Sequence, residues 1–310
     1  MINSRYVYGL EDYVVSESLV VERVTWKDYY RLIKPGIVYS NSITAFGGFW
    51  VASKWNIDVL LMVYVLVGTA LVMASGCVFN NYLDRDMDSK MERTQNRALP
   101  TGKVSPQTVL WYGSILGTIG LFILLILANS WLAALLGFTG LVFYVGVYTY
   151  WFKRTSTWST FVGSISGATP PMIGYCAVSQ TIDAGALILF LILFLWQPPH
   201  FWSLGIRRME EYRAAGFPLL PVVRGTFITK ISMIRYIVLL VPVTLLLHFY
   251  GYVGQIYLVV VSALGLIWLC MSVVGFVAKD EEKWSKGMFL YSINYLTLMF
   301  IFMVIDTARA

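Results

Sequence analysis

Asn80, Asp84 and Asp88 recur every fourth residue in the run Asn80-Asn81-Tyr82-Leu83-Asp84-Arg85-Asp86-Met87-Asp88. On a helix this spacing puts all three on one face, with successive groups about 6 Å apart along the axis. Two carboxylates at that spacing repel, and at a membrane boundary the arrangement is costly unless a cation lies between them. Oxygen ligands with no Cys or His nearby point to a hard cation, Mg²⁺ before Ca²⁺. Arg93 and Arg97 follow, again four apart, then Lys103. Acidic groups with a metal, followed by guanidinium groups, make a place where a diphosphate can be held. The competing reading is a helix end neutralised by salt bridges, Asp88 with Arg85 or Glu92 with Lys90. That reading has no use for the periodic asparagine.

A second polar cluster, Trp196-Gln197-Pro198-Pro199-His200-Phe201-Trp202, leads into Arg207-Arg208-Met209-Glu210-Glu211-Tyr212-Arg213. The proline pair removes two backbone donors from an apolar segment, which predicts a break or kink there. His200, beside it, is suited to binding a ligand, moving a proton or capping freed carbonyls. A third feature is Lys153-Arg154-Thr155-Ser156, followed by Gly163, Gly167, Pro170 and Pro171. This series predicts an irregular helix with small side chains, where a bulky ligand has room.

The elements that position these groups follow from composition. Of 310 residues, 58% are hydrophobic and 13% charged, the net charge is +6 and the mean hydropathy is +0.68. A soluble domain carries about 25% charged residues. The deficit excludes disorder, a secreted disulfide scaffold and a nucleic-acid-binding arm, and leaves an all-α polytopic membrane protein. Cys77, Cys176 and Cys270 fall in apolar stretches and read as packing residues. Nine apolar segments are expected to cross the membrane, approximately 36–53, 57–82, 107–127, 131–151, 158–178, 184–205, 231–250, 255–278 and 287–306. The first and fifth are diluted by Gly, Ser and Thr, which permit close helix contact in lipid.

Charge supports that count. With a cytoplasmic N-terminus and an external C-terminus, 21 of the 23 Lys and Arg fall on the inner side, leaving Lys54 and Arg309 outside. Fourteen of the 17 acidic residues lie on that side too. The expected organisation is a cytoplasmic segment 1–35 and a single helical domain 36–306, with cytoplasmic cap loops 83–106 and 206–230. The polar N-terminus, with Glu11, Asp12, Glu17 and Glu22, lacks the apolar core of a cleaved signal and the acid-poor character of an import sequence. The expected location is a bacterial plasma membrane, with the chemistry on its cytoplasmic face.

Taken as a set, these motifs resemble the UbiA-type intramembrane prenyltransferases. The run Asn80-xxx-Asp84-xxx-Asp88 with Arg93-Thr94 and Arg97-Ala98-Leu99-Pro100 is similar to that family's first acidic motif. Asp84-Arg85-Asp86 and Met91-x-Arg93-Thr94 look like the branch that farnesylates protohaem IX. Further matches are Lys34-Pro35, Lys153-Arg154-Thr155, Gly167-Ala168-x-Pro170-Pro171-x-x-Gly174, Gln197-x-Pro199-His200-Phe201-Trp202, and Glu211-Tyr212-x-Ala214-Ala215-Gly216-x-Pro218-x-Leu220-Pro221.

The resemblance implies nine helices around a central cavity under a cytoplasmic cap. It also implies Mg²⁺-dependent transfer of farnesyl from farnesyl diphosphate to a vinyl group of haem B, with haem as substrate and haem O as product. Asn80, Asp84, Asp88 and Glu211 would hold the metal. Lys34, Asn81, Arg93, Arg97, Lys153, Arg154, Arg208, Glu211 and Tyr212 would bind substrate, and His200 would serve the porphyrin or the water that adds to it. Membrane lipid, and a haem A synthase or terminal oxidase assembly, are the implied partners; nucleic acid is not. Asn81 stands where many members carry Asp, Ala98 replaces Pro, and Glu211 replaces the branch's Asp. Arg208 falls where quinone-type relatives have the first Asp of a second acidic motif, which puts a full second metal site in doubt. Two alternatives stay open: prenylation of an aromatic quinone precursor, and an ion-coupled transporter, which would place ionisable groups near the bilayer midplane.

Overall fold

The computed structural model describes residues 23–309, so the acidic stretch 1–22 lies outside the described residues. The described chain is helical throughout. A short helix α1 (Trp26–Leu32) leads through Lys34 into α2 (Pro35–Ser53) and the long α3 (Val59–Asp88). Helix α4 (Pro106–Phe122) continues as a π-helical turn, Ile123–Leu127. Helix α5 (Trp131–Val142) continues as a π-helix, Phe143–Phe152, that ends in α6 (Lys153–Thr155). After α7 (Ser159–Gly167) and α8 (Thr169–Ser179) come α9 (Ala184–Arg207), α10 (Met209–Ala215), α11 (Leu220–Phe249), α12 (Gln255–Val274) and α13 (Glu281–Ile305).

Among the described residues, seven helical stretches are long and apolar enough to cross a membrane: Val59–Asp88, Pro106–Leu127, Trp131–Thr155, Ala184–Arg207, Leu220–Phe249, Gln255–Val274 and Glu281–Ile305. The two expected segments outside this set are the diluted ones. Segment 36–53 is α2, and segment 158–178 is divided at Ala168 into α7 and α8. These helices are small-faced because they nearly touch. A Cβ on Gly48 would overlap the carbonyl of Pro171, and one on Gly174 would overlap that of Ala45. Backbone-to-backbone approach of this kind replaces hydrophobic length with packing.

Two local expectations are corrected. Loop 83–106 begins later than its boundary, because α3 stays helical through Asp88, with its acidic groups neutralised by cations from other elements. Pro198 and Pro199 do not break α9, which runs unbroken from Ala184 to Arg207. Both prolines are buried, and the neighbouring Gln197 side chain donates to the carbonyls of Leu193 in α9 and Ser164 in α7. Tertiary packing holds the chain helical across the missing donors. A kink is present in α11, at Gly225 (φ 76°). The largest apolar core joins α9, α11, α12 and α13 around Trp268, Tyr257 and Tyr295, and a second joins α2, α3, α5 and α8.

Candidate active site

Helix α3 brings Asn80, Asp84 and Asp88 onto one face, at 2%, 2% and 6% exposure. Asp84 is the centre of the cluster. Its Oδ2 accepts from Lys153 at the end of the Phe143–Phe152 π-helix and from Asn80 Nδ2 at 2.9 Å. Its Oδ1 is buried without a hydrogen-bond partner among the described residues, with Arg154 Nη2 at 4.0 Å. A buried carboxylate oxygen left unpaired is expensive, so this atom is suited to bind a further ligand.

Around it, Asn80 Oδ1 accepts from Lys34, and Asn80 Nδ2 also donates to Thr149 Oγ1 at 3.0 Å. Lys34 reaches inward because its backbone adopts a left-handed conformation (φ 51°) before Pro35. That is an unfavourable state for a residue with a Cβ, held by its surroundings. Burial pulls the Lys34 ammonium down to about 8. Arg97 Nη1 binds Asp88 Oδ2 at 2.6 Å and approaches Asn81 Oδ1 at 3.3 Å. Asn81 in turn donates to Leu32 and Cys77 carbonyls, fixing α1 against α3. Arg154 grips Asp86 through two bonds of 2.8 and 2.6 Å. Lys103 pairs with Asp28 at 3.1 Å, and the Thr25 backbone amide and hydroxyl hold the Asp28 carboxyl down at about 2.

The cap loops meet over this face. Met91, from the loop after α3, packs against Ala215 and Phe217 from the loop after α9. The Phe217 ring lies 5.0 Å from Lys153 Nζ, and Tyr212 stands edge-on to it at 6.1 Å. Glu211 pairs with Arg208 at 3.4 Å, one turn away in its own segment. Arg93 is exposed, with no hydrogen bond or ion pair among the described residues. His200 faces α13 instead of α3, stacked between Trp196 (4.5 Å) and Phe289 (4.6 Å), with Nδ1 2.7 Å from Ser292 Oγ. The Ser292 hydroxyl donates its single proton to the Phe289 carbonyl at 2.6 Å. It therefore accepts from His200 Nδ1–H, and Nε2 makes no hydrogen bond among the described residues.

Thr149 joins the cluster without any sequence signal. It is placed by the π-helical winding of Phe143–Phe152, and such windings recur at functional sites. Among the described residues, no three His, Cys, Asp or Glu side chains converge as a metal cage. The donor set instead suits Mg²⁺, which is commonly held by one or two carboxylates plus substrate phosphate oxygens. The orphaned Asp84 Oδ1, with Asp88 one turn away, fits that description.

The same α3 face continues into the membrane. Gly76 and Val72, four and eight residues before Asn80, line a narrow cleft with Gly140, Tyr144, Gly167 and Thr169 that encloses about 30 Å³. A basic and acidic mouth above an apolar, small-residue cleft defines a membrane protein that takes an amphiphile by its charged head. The chain belongs to the UbiA prenyltransferase family, whose model matches residues 41–293. It is 52% identical to protohaem IX farnesyltransferase 1 of Bacillus subtilis, over 92% of each chain. It is 46% identical to protohaem IX farnesyltransferase of Yersinia pseudotuberculosis, over 90% of this chain and 95% of that one. Among solved structures, that of digeranylgeranylglyceryl phosphate synthase is similar with a TM-score of 0.76 at 19% identity, covering 90% of this chain and 97% of that one. A UbiA homologue from Archaeoglobus fulgidus bound to DMAPP and Mg²⁺ has a TM-score of 0.65 at 17% identity, covering 89% and 99%.

Proposed function

We propose that this protein transfers the farnesyl group of farnesyl diphosphate to a vinyl group of haem B, producing haem O. The observation that carries the reading is the continuity of one helix face. Val72 and Gly76 line an apolar cleft, and Asn80, Asp84 and Asp88 stand at its polar end. A prenyl diphosphate needs those two environments in that order. Haem as acceptor is supported by the names of the relatives at 46–52% identity.

Asn80, Asp84 and Asp88 would hold Mg²⁺ together with the diphosphate, and when bound the ion supplies charge neutralisation for the leaving group. The chain's own cations do the rest. Lys34, Lys153 and Arg97, each already turned toward the α3 face, bind the diphosphate oxygens and hold them while the allylic C–O bond breaks. Arg154 fixes the end of α3 through Asp86. The apolar cleft shields the allylic cation from water. The vinyl carbon of haem then attacks, forming the C–C bond. Water adds to the resulting haem-side cation and releases a proton, which leaves the hydroxyethyl group. His200, held by Ser292 through Nδ1, serves the porphyrin side.

The reading includes nine membrane crossings, with α2 and the α7–α8 pair added to the seven long spans, the N-terminus cytoplasmic and the C-terminus outside. The location is the bacterial plasma membrane with the site on its cytoplasmic face, and the sidedness of Lys and Arg supports this. The test is to incubate purified protein with haem B, farnesyl diphosphate and Mg²⁺ and to weigh the porphyrin. A product heavier by the hydroxyethylfarnesyl change supports it; unaltered haem beside a prenylated benzoate overturns it.

A further inference from the structure

Helices α12 and α13 enclose a second apolar cleft, remote from the α3 face. Leu266, Ile267, Cys270 and Met271 form one wall, Trp284 and Gly287 the other, around a volume of about 450 Å³. The Trp284 indole donates to the Met271 carbonyl at 2.9 Å and clamps the two walls together. Gly287 has only the tip of Met271 near the position of a Cβ, so the cleft floor is open at that point. From Leu266 to Val274 the groove is roughly 12 Å long, under half of a hydrocarbon core of about 30 Å. It is sized for a chain from one leaflet.

Lysines lie near one end of it in sequence. Lys283 stands one turn before Gly287 on α13, Lys286 immediately precedes Gly287, and Lys279 lies just before α13 begins. The nearby acids are engaged elsewhere. Glu281 binds Lys230 at 2.6 Å and Thr226 at 3.0 Å, Glu282 lies 4.0 Å from Arg207, and Asp280 caps the first turn of α13. The three lysine ammonium groups are exposed, with no ion pair or hydrogen bond of their own among the described residues. An apolar groove with unpartnered ammonium groups near one end is complementary to a lipid with an acyl chain and an anionic headgroup.

We infer that the α12–α13 cleft is a binding site for an anionic phospholipid, its acyl chain against Cys270 and Met271 and its phosphate on Lys283, Lys286 and Lys279. The proposed topology decides only which leaflet supplies the lipid; the lysines decide its headgroup. The site is separate from the α3 face, and lipid occupancy holds α12 against α13.

Cys270 provides the reporter, since it lines this cleft and is exposed, whereas Cys77 and Cys176 are buried. The experiment measures the rate of Cys270 alkylation by an uncharged maleimide in full-length protein, reconstituted in phosphatidylcholine with or without phosphatidylglycerol of the same chains. Phosphatidylglycerol slows alkylation, and Lys283→Gln with Lys286→Gln weakens its apparent affinity by about 25-fold, about fivefold for each lysine. Haem O formation, followed in parallel, continues in the double variant and shows that it is folded. Equal protection by phosphatidylcholine alone, equal protection by free glycerol phosphate, or a double variant that keeps the phosphatidylglycerol effect would each overturn the assignment.

Discussion

Lys153 binds one oxygen of Asp84, and the other oxygen of that buried carboxylate has no hydrogen-bond partner. The pair joins α3 to the end of the Phe143–Phe152 π-helix, elements 69 residues apart in sequence. It leaves half of the carboxylate available to a ligand, while the lysine keeps the folded protein from burying a bare charge.

Lys153→Met therefore destabilises the protein by about 3 kcal/mol, because it strands the Asp84 charge in a buried site. Adding Asp84→Asn to that variant recovers part of the loss, since the amide no longer needs a cation. Thermal unfolding of the two single variants and the double variant in detergent closes the cycle. Strictly additive losses would show that the two side chains do not interact.

Arg97 engages Asp88 and Asn81 with one nitrogen. Arg97→Lys keeps the charge and loses the planar reach. The expected result is a KM for farnesyl diphosphate raised about tenfold, from one charge-assisted bond weakened, with kcat changed less. Steady-state kinetics with haem B saturating separates the two constants.

His200 contacts α13 and none of the groups around Asp84. His200→Ala lowers haem O formation by at least about tenfold, within the range of a lost acid–base or positioning group, while farnesyl diphosphate binds as before. Equilibrium binding of labelled farnesyl diphosphate, measured beside turnover, tests this. Loss of diphosphate binding would place His200 on the wrong side of the reaction.

The near contact of α2 and α8 predicts that Gly174→Ala costs about 1–3 kcal/mol by overpacking, since the new methyl overlaps the Ala45 carbonyl. Gly146→Ala, where nothing lies within 4 Å of the added Cβ, is the matched control and is neutral or mildly stabilising. Melting temperatures of the two variants in the same detergent decide it.

The polar core of the site was legible because a helix repeats every 3.6 residues, so the spacing of Asn80, Asp84 and Asp88 puts them on one face whatever surrounds them. Lys153 and Arg97 stood out as basic residues, but their partners depend on how loops fold over α3, which no local pattern records. Thr149 was invisible for the same reason: only the π-helical winding turns it toward Asn80. Glu211 reads as a metal ligand only through its motif; its local pairing with Arg208 depends on the turn at α10, which no helical spacing within α3 records. Pro198 and Pro199 predicted a break that packing of Gln197 against α7 prevents. The weak first and fifth apolar segments are helices stabilised by each other, a property of the pair that hydropathy along one segment does not carry.

The central claim is that Asp84 and its free oxygen organise metal-assisted departure of the diphosphate. The most direct measurement is the rate of haem O formation by purified protein and by Asp84→Ala across a Mg²⁺ titration, with folding of the variant checked by its melting curve. The account predicts that wild-type turnover rises with Mg²⁺ and vanishes on chelation, and that the folded variant loses nearly all activity at every Mg²⁺ concentration. A variant that makes haem O at near-wild-type rate at limiting Mg²⁺ would contradict it.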